Sequence, residues 1–92
     1  MPTVTVALPS PLRRAAGGAG ELSAEGGTVA AALASLGGTH PVVARLLLKE
    51  NGAPRAAVLL ALNGVDVRRL DGLQTGLKEG DRLEVLLLVA GG

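Results

Sequence analysis

The C-terminal carboxylate is the group in this sequence with the clearest chemical use. The apolar segment 82–89 leads directly into Ala90, Gly91 and Gly92. A carboxylate is a poor electrophile, and its transfer to ATP as an acyl-adenylate converts one oxygen into a good leaving group. Glycine has no Cβ atom, so residues 89–92 form a narrow chain of at most roughly 13 Å that suits entry into another protein's nucleotide site. The alternative is an unpacked chain end without a role.

Other side chains that can do chemistry do not form a recognisable constellation. Ser35, His40 and Asp66 supply the residue types of a hydrolase triad, but their spacing matches no motif. His40 precedes Pro41 at the start of a predicted helix, where a capping or surface role is more common. The glycine-rich run 17–20 is not followed by the Lys and Ser or Thr of a phosphate-binding loop, and we interpret it as a hairpin loop. We predict no catalytic residue.

The composition excludes several further classes of protein. The 92 residues carry nine basic and eight acidic side chains, and the net charge of +1 gives no basic surface for nucleic acid. Aromatic residues and cysteine are absent, which argues against base stacking, thiolate chemistry and the usual zinc sites. Four acidic residues lack metal-ligand spacing and are interpreted as turn formers: Asp66, Asp71, Glu79 and Asp81. We predict one small domain without a metal site.

Nothing in the sequence indicates a membrane span or an export signal. The first residues lack a basic segment followed by a continuous apolar one. The apolar runs 56–62 and 85–90 are far shorter than the ~20 residues that cross a bilayer. We therefore expect a soluble, cytoplasmic protein.

The N-terminal quarter predicts a β-hairpin. Residues 3–8 alternate apolar and polar side chains, which is typical of a half-buried strand. Prolines end this strand, and residues 13–20 are predicted to be a loop. Residues 21–25 alternate again, with Leu22 and Ala24 facing inward, and form the returning strand.

The main helix is predicted over residues 29–36. Thr28 is a suitable N-cap, and the apolar residues that follow have helical spacing. Gly37 and Gly38 are expected to end the helix in a left-handed conformation. A second short helix, through Leu47, is predicted to begin at Pro41.

The C-terminal half predicts three further strands and tight turns. Residues 57–62 form a strand, Asn63-Gly64 is a strong hairpin turn, and residues 65–67 form a short strand after it. Residues 70–77 are broken by glycines and are expected to form tight turns, and residues 82–89 form the last strand. The predicted architecture is an α+β roll in which one main helix lies across a mixed sheet.

The phase of the last strand predicts an apolar surface beside the tail. The residues expected to point into the core are Leu83, Val85 and Leu87. Leu86 and Leu88 then point outward, as do Leu59 and Ala61 on the third predicted strand. An exposed apolar patch of this kind is typical of a docking site. A shift of the register by one residue would reverse the assignment.

The sequence resembles the ubiquitin-like sulfur-carrier family, the ThiS/MoaD group, over nearly its whole length. The motifs that carry the resemblance are Thr28-Val29, Leu62-Asn63-Gly64, Leu77-Lys78-Glu79-Gly80-Asp81 and Val89-Ala90-Gly91-Gly92. The opening segment and the long middle segment are most similar to CysO-type carriers. The resemblance implies a ubiquitin-like β-grasp roll over residues 1–89 and a flexible tail over 90–92. One departure is Leu86-Leu87-Leu88, where relatives have a proline.

The resemblance also implies a protein carrier rather than an enzyme. It implies that an E1-like (MoeB/ThiF-type) adenylyltransferase uses ATP to activate Gly92, while the carrier itself binds no cofactor. A sulfur donor then converts the adenylate to a thiocarboxylate. For a CysO-like carrier the acceptor would be a PLP-dependent cysteine synthase, followed by a tail-cleaving metalloprotease. For a MoaD-like carrier it would be the large subunit of molybdopterin synthase.

Two other functions remain open at this stage. A ubiquitin-like modifier would pass the same adenylate to a lysine and form an isopeptide bond through Gly92. A plain binding module would end in glycine without using its carboxylate. The sequence does not separate these functions, because the first two need the same tail and activation.

Overall fold

The computed structural model describes residues 1–88 and contains one five-stranded sheet. Its strands are β1 (Thr3–Ala7), β2 (Glu21–Glu25), β3 (Val58–Leu62), β4 (Val65–Asp66) and β5 (Arg82–Leu87). Their order across the sheet is β2-β1-β5-β3-β4. The β1–β5 pair is parallel and the other pairs are antiparallel. The predicted mixed sheet is therefore confirmed.

Three α-helices connect the strands: α1 (Ser10–Arg13), α2 (Val29–Thr39) and α3 (Pro41–Leu47). Two 3-10 turns, Val67–Arg69 and Gly72–Gln74, lie between β4 and β5. The second lies within residues 70–77, where tight turns are predicted. The first includes Val67, so the prediction that this residue belongs to the strand is wrong. Within residues 1–88 no helix is long and apolar enough to span a membrane.

Within residues 1–88 one hydrophobic core lies between a face of the sheet and α2, and α3 packs against α2 and adds Val43, Ala44 and Leu47 to it. Alternate residues of β1, β2, β3 and β5 point into it, as the period-two pattern predicts. The most deeply buried side chains include Val6 and Leu83 from the central strands and Leu33 and Leu36 from α2. Burial of this apolar surface is the main stabilising contribution to the fold, and it leaves the other sheet face for solvent or partners.

The main helix begins where the sequence predicts and ends later. The Ala31 N–H donates to Thr28 Oγ1 at 3.1 Å, which confirms Thr28 as the N-cap. The prediction that Gly37 and Gly38 end the helix is wrong, because α2 continues through them to Thr39. Pro41 determines the end instead. It supplies no N–H to continue the hydrogen-bond ladder and restricts the preceding residue to non-helical angles.

The connection between β1 and β2 is more ordered than the predicted loop 13–20. Residues 10–16 form α1 and a 3-10 turn, Arg14–Ala16, and Leu12 is buried in the core. Pro11 lies in the first turn of α1, where a missing N–H costs nothing. Such short helices lack the two turns needed for a periodic pattern, which is why the sequence did not predict them.

Candidate functional site

The described chain ends where β5 leaves the sheet. The Leu88 N–H donates to the carbonyl oxygen of Ala57 at 2.8 Å, just after β5 ends at Leu87. This bond holds the chain against the start of β3 until its last described residue. The predicted tail residues Val89, Ala90, Gly91 and Gly92 lie outside the described residues. The point from which the tail departs is therefore fixed by the sheet.

The outer sheet face carries an apolar patch at this exit. Leu86 and Leu88 are 45% and 54% exposed, which confirms that they point away from the core. Leu59 pairs with Leu86 across β3 and β5 and is half-buried. We call Leu59, Leu86 and Leu88 the exit patch. Whether a partner docks on it stays a prediction.

Ala61 does not extend the exit patch as expected. Its side chain is only 8% exposed, although it lies outside the core cluster. Ala61 pairs with Glu84 on one side and Asp66 on the other. Its small methyl group lies between these longer neighbours and is nearly buried, so it offers a partner little contact area.

A cavity of about 360 Å³ adjoins the exit patch. Leu59 and Leu88 contribute to its lining, together with Arg55, Arg68 and Leu73. These residues come from separate segments of the chain, so no local pattern in the sequence could have predicted the cavity. The cavity therefore lies beside Leu88, the last described residue.

An ion pair holds a guanidinium at the rim of this cavity. Arg68 Nη2 lies 2.7 Å from Asp66 Oδ2, and the Arg68 backbone N–H also donates to Asp66 Oδ1 at 2.9 Å. Hydrogen bonds from the Arg68 side chain and then its backbone lower the pKa of Asp66. Asp66 therefore stays ionised at neutral pH and anchors the 3-10 turn that carries Arg68.

The residue types of a hydrolase triad do not meet. Ser35 and His40 line one cleft, whereas Asp66 lies on β4 at the opposite edge of the sheet from β2. Ser35 Oγ donates to the Ala32 carbonyl at 2.7 Å, and His40 Nδ1 contacts Thr39 Oγ1 at 3.1 Å. The first contact lies within α2 and the second at its C-cap, which agrees with a structural role.

Three of the four predicted turn-forming acids accept a backbone hydrogen bond through the side-chain carboxylate. Asp66 accepts the N–H of Arg68, Asp81 that of Lys78, and Glu79 that of Thr3. Asp71 instead accepts the Gln74 N–H through its own carbonyl. No group of three metal-ligating side chains occurs among residues 1–88.

The sheet order, the helix across the inner face and the strand leading to the tail define a ubiquitin-like β-grasp protein. The ThiS family sequence profile matches residues 6–92, and the chain belongs to this family. The sulfur carrier protein CysO of Mycobacterium tuberculosis is 34% identical over 91 residues, covering 97% of this chain and 98% of that protein.

Solved structures agree with this assignment. The CysO complex with BexX from Amycolatopsis orientalis matches with a TM-score of 0.85 at 35% identity, covering 97% of this chain and 99% of that one. The small archaeal modifier protein 1 of Methanosarcina acetivorans matches with a TM-score of 0.87 at 32% identity, covering 100% and 98%. The predicted fold class and family are confirmed.

Proposed function

We propose that this protein is a sulfur carrier of the CysO type, in which the carboxylate of Gly92 receives and delivers the sulfur. The observation that carries the proposal is the similarity to sulfur carrier protein CysO over nearly the full length of both chains. The ThiS family match, which extends to residue 92, supports the same assignment.

The proposed chemistry takes place in partner enzymes. In an E1-like (MoeB/ThiF-type) adenylyltransferase, the Gly92 carboxylate attacks the α-phosphorus of ATP and pyrophosphate leaves. A sulfur donor then attacks the acyl carbon, AMP leaves, and a thiocarboxylate remains on Gly92. The carrier supplies the reacting carboxylate but no catalytic residue and no bound cofactor, so it is a co-substrate rather than an enzyme. We expect it to act in the cytoplasm, where ATP is available.

The geometry of the exit suits this role. A partner that contacts Leu86 and Leu88 of the exit patch also faces the point from which the tail departs. Residues 89–92 reach at most roughly 13 Å beyond that point, so a nucleotide site at that depth can receive Gly92. The absence of Cβ atoms at Gly91 and Gly92 lets the chain pass through a narrow channel.

The acceptor follows from the type of carrier. A CysO-like carrier delivers its sulfur to a PLP-dependent cysteine synthase, and a metalloprotease then releases the cysteine from the tail. A MoaD-like carrier delivers it to the large subunit of molybdopterin synthase. The similarity to CysO favours the first route.

Intact mass spectrometry tests the proposal. The protein is incubated with the E1-like enzyme, ATP and sulfide. We expect its mass to rise by the difference between sulfur and oxygen, and a variant lacking Gly92 to remain unchanged while keeping its fold. The E1-like enzyme is first shown to be active on another carrier. If the mass of the wild-type protein then does not change, the proposal is wrong.

The resemblance to small archaeal modifier protein 1 supports a second candidate, a protein modifier. In this case a lysine amine attacks the Gly92 adenylate, AMP leaves and an isopeptide bond forms. A ladder of conjugates in cell extract, dependent on Gly92, would support the modifier. A plain binding module would keep its activity after Gly92 is deleted.

A further inference from the structure

The hairpin-like loop 48–55 is tied firmly to the end of α3. The Lys49 N–H donates to the Ala53 carbonyl at 2.7 Å, and the Arg55 N–H donates to the Leu47 carbonyl at 2.8 Å. Asn51 Oδ1 accepts the Ala53 N–H at 3.0 Å, which closes the tip of the loop. These bonds fix the loop beside the helix, so a groove between the two is formed before any partner binds.

This groove, which we call the α3 groove, has an apolar floor and a cationic rim. Its volume is about 430 Å³. Its apolar lining, here called the floor, includes Pro41, Ala44 and Leu48, and its cationic lining, here called the rim, is formed by Arg45, Lys49 and Arg55. The three cationic residues are exposed. The volume is sufficient for one apolar side chain of a ligand. The cations could then contact acidic groups on either side of that side chain.

The cations of the rim have no carboxylate partner among residues 1–88. Elsewhere Arg68 pairs with Asp66 and Arg82 pairs with Glu21, but neither Arg45, Lys49 nor Arg55 forms such a pair in the described chain. Glu50 also lines the groove and does not neutralise the rim, which keeps a formal charge of +2 when Glu50 is included.

Arg55 is also oriented for an anion. Its Nε donates to the Arg45 carbonyl at 2.9 Å. This bond uses one of the five guanidinium donors and restrains the side chain, leaving the terminal nitrogens to bind a carboxylate in a two-point geometry. The Arg55 side chain therefore loses less conformational entropy on binding than an unrestrained surface arginine would.

We propose that the α3 groove is a docking site for an acidic segment of a partner protein, with an apolar residue on the floor and flanking carboxylates on the rim. The argument is charge complementarity: cations that lack a carboxylate partner among residues 1–88 flank an apolar surface of side-chain size. A nucleic acid fits poorly, since the protein has no aromatic residue and a net charge of only +1. The proposal is independent of the role of Gly92.

An NMR titration of the full-length protein tests the proposal. The probe is an acetylated, amidated peptide with one leucine between glutamates, and the matched control has glutamine in place of each glutamate. We expect saturable shifts of the backbone amides of residues 44–55 with the acidic peptide. The glutamine peptide should bind roughly tenfold more weakly, because exposed ion pairs each contribute modestly.

Two double variants with the same change in net charge provide the control. Arg45→Glu with Lys49→Glu reverses the rim and should weaken binding about tenfold. Arg69→Glu with Lys78→Glu reverses exposed cations outside the groove and should leave binding unchanged. Equal losses in both variants, or equal binding of both peptides, would overturn the proposal.

Two other occupants are distinguished by the same measurements. If only a variant lacking residues 89–92 binds the peptide, the groove holds the chain's own tail and the proposal is wrong. If the amides of the groove shift with protein concentration alone, and translational diffusion slows, the occupant is a second copy and the proposal is also wrong. An absence of saturable shifts in every form of the protein overturns it as well.

Discussion

Asn63 and Asp81 connect the turn between β3 and β4 to the turn before β5. The Asn63 amide nitrogen donates to Asp81 Oδ1 at 3.1 Å, and Asn63 Oδ1 accepts the Arg82 N–H at 2.9 Å. Asp81 Oδ2 in turn accepts the Lys78 N–H at 2.8 Å. Two of the motifs that carry the family resemblance therefore belong to one hydrogen-bonded structure, and this structure fixes the start of the strand that leads to the tail.

Two substitutions of Asn63 should distinguish the stability contributed by its side-chain hydrogen bonds from that contributed by its backbone conformation. Asn63 has a φ of +49°, in the left-handed region that glycine adopts freely. We expect Asn63→Gly to lower the free energy of unfolding by about 1–2 kcal/mol through loss of two exposed hydrogen bonds. Asn63→Ala should cost about 1 kcal/mol more, because alanine is strained in this conformation. Urea denaturation measures both, and equal stability of the two variants would contradict the second expectation.

The same contacts make stability depend on pH. Hydrogen bonds from the Lys78 N–H and the Asn63 amide hold the pKa of Asp81 below its usual value of 3.8. A carboxylate with a depressed pKa in the folded state stabilises the protein above the unfolded-state pKa, and this contribution is lost as the pH falls through the folded-state value. We therefore expect the urea midpoint to decrease below about pH 4.

Asp81→Asn should flatten this decrease without removing it. Asp66, whose pKa is lowered by Arg68, loses its contribution in the same pH range. Asp66→Asn is the matched comparison, and the double variant should have the smallest dependence on pH. If the urea midpoint of Asp81→Asn depends on pH as that of the wild type does, ionisation of the Asp81 carboxylate contributes nothing to stability.

Two adjacent glycines before α2 should differ sharply in their tolerance of alanine. A Cβ atom at Gly26 would lie 2.5 Å from the backbone nitrogen of Ala32 and 2.7 Å from the carbonyl carbon of Ala31, whereas one at Gly27 meets nothing within 4 Å. We expect Gly26→Ala to lower the free energy of unfolding by about 1–3 kcal/mol, because the first turns of α2 must move away from the added methyl group. Gly27→Ala should change it little. Similar unfolding midpoints for the two variants would contradict this close approach.

Much of the fold could be predicted because its signals are local. The alternation in β1 and β2 gives both strands and their inward faces, and Thr28 gives the start of α2. The Asn63-Gly64 turn is confirmed by positive φ angles of 49° and 87°. In each case neighbouring residues determine the conformation, so one stretch of sequence suffices.

The sequence predictions are wrong where contacts distant in sequence, or a residue further along the chain, determine the local structure. Gly37 and Gly38 stay helical and α2 ends only at Thr39, two residues before Pro41, because a glycine permits a helix end without requiring one. Ala61 lies between longer partners in β4 and β5 and is only 8% exposed, which strand phase alone does not reveal. The α3 groove combines a helix with a loop. That its cations have no carboxylate partner within residues 1–88 becomes evident only when the carboxylates of those residues are positioned.

The exit patch should contribute to binding of the activating enzyme and little to folding. Leu86→Ser removes an apolar side chain that is already 45% exposed, so the free energy of unfolding should change by less than about 1 kcal/mol. If the E1-like enzyme docks on the patch, its KM for the carrier should rise about tenfold, because a buried leucine at an interface contributes about 1–3 kcal/mol.

Leu46→Ser is the matched control for the patch. Leu46 is 46% exposed but lies on α3, which packs against α2 and belongs to the core side of the sheet. This variant should leave the KM of the activation reaction unchanged. An equal effect of the two substitutions would indicate a general loss of stability or solubility rather than docking at the exit patch.

A side chain at Gly91 should block activation without unfolding the protein. If residue 91 belongs to the tail, as the sequence predicts, it takes no part in the core, and Gly91→Val should have the thermal midpoint of the wild type. Under the proposed function the same change should abolish formation of the thiocarboxylate, because a branched side chain widens the tail and restricts its backbone. Gly91→Ala should be less impaired, since a single methyl group adds the least width. Intact mass after incubation with the E1-like enzyme, ATP and sulfide measures the product, and wild-type kinetics for Gly91→Val would show that the tail does not pass through a narrow channel.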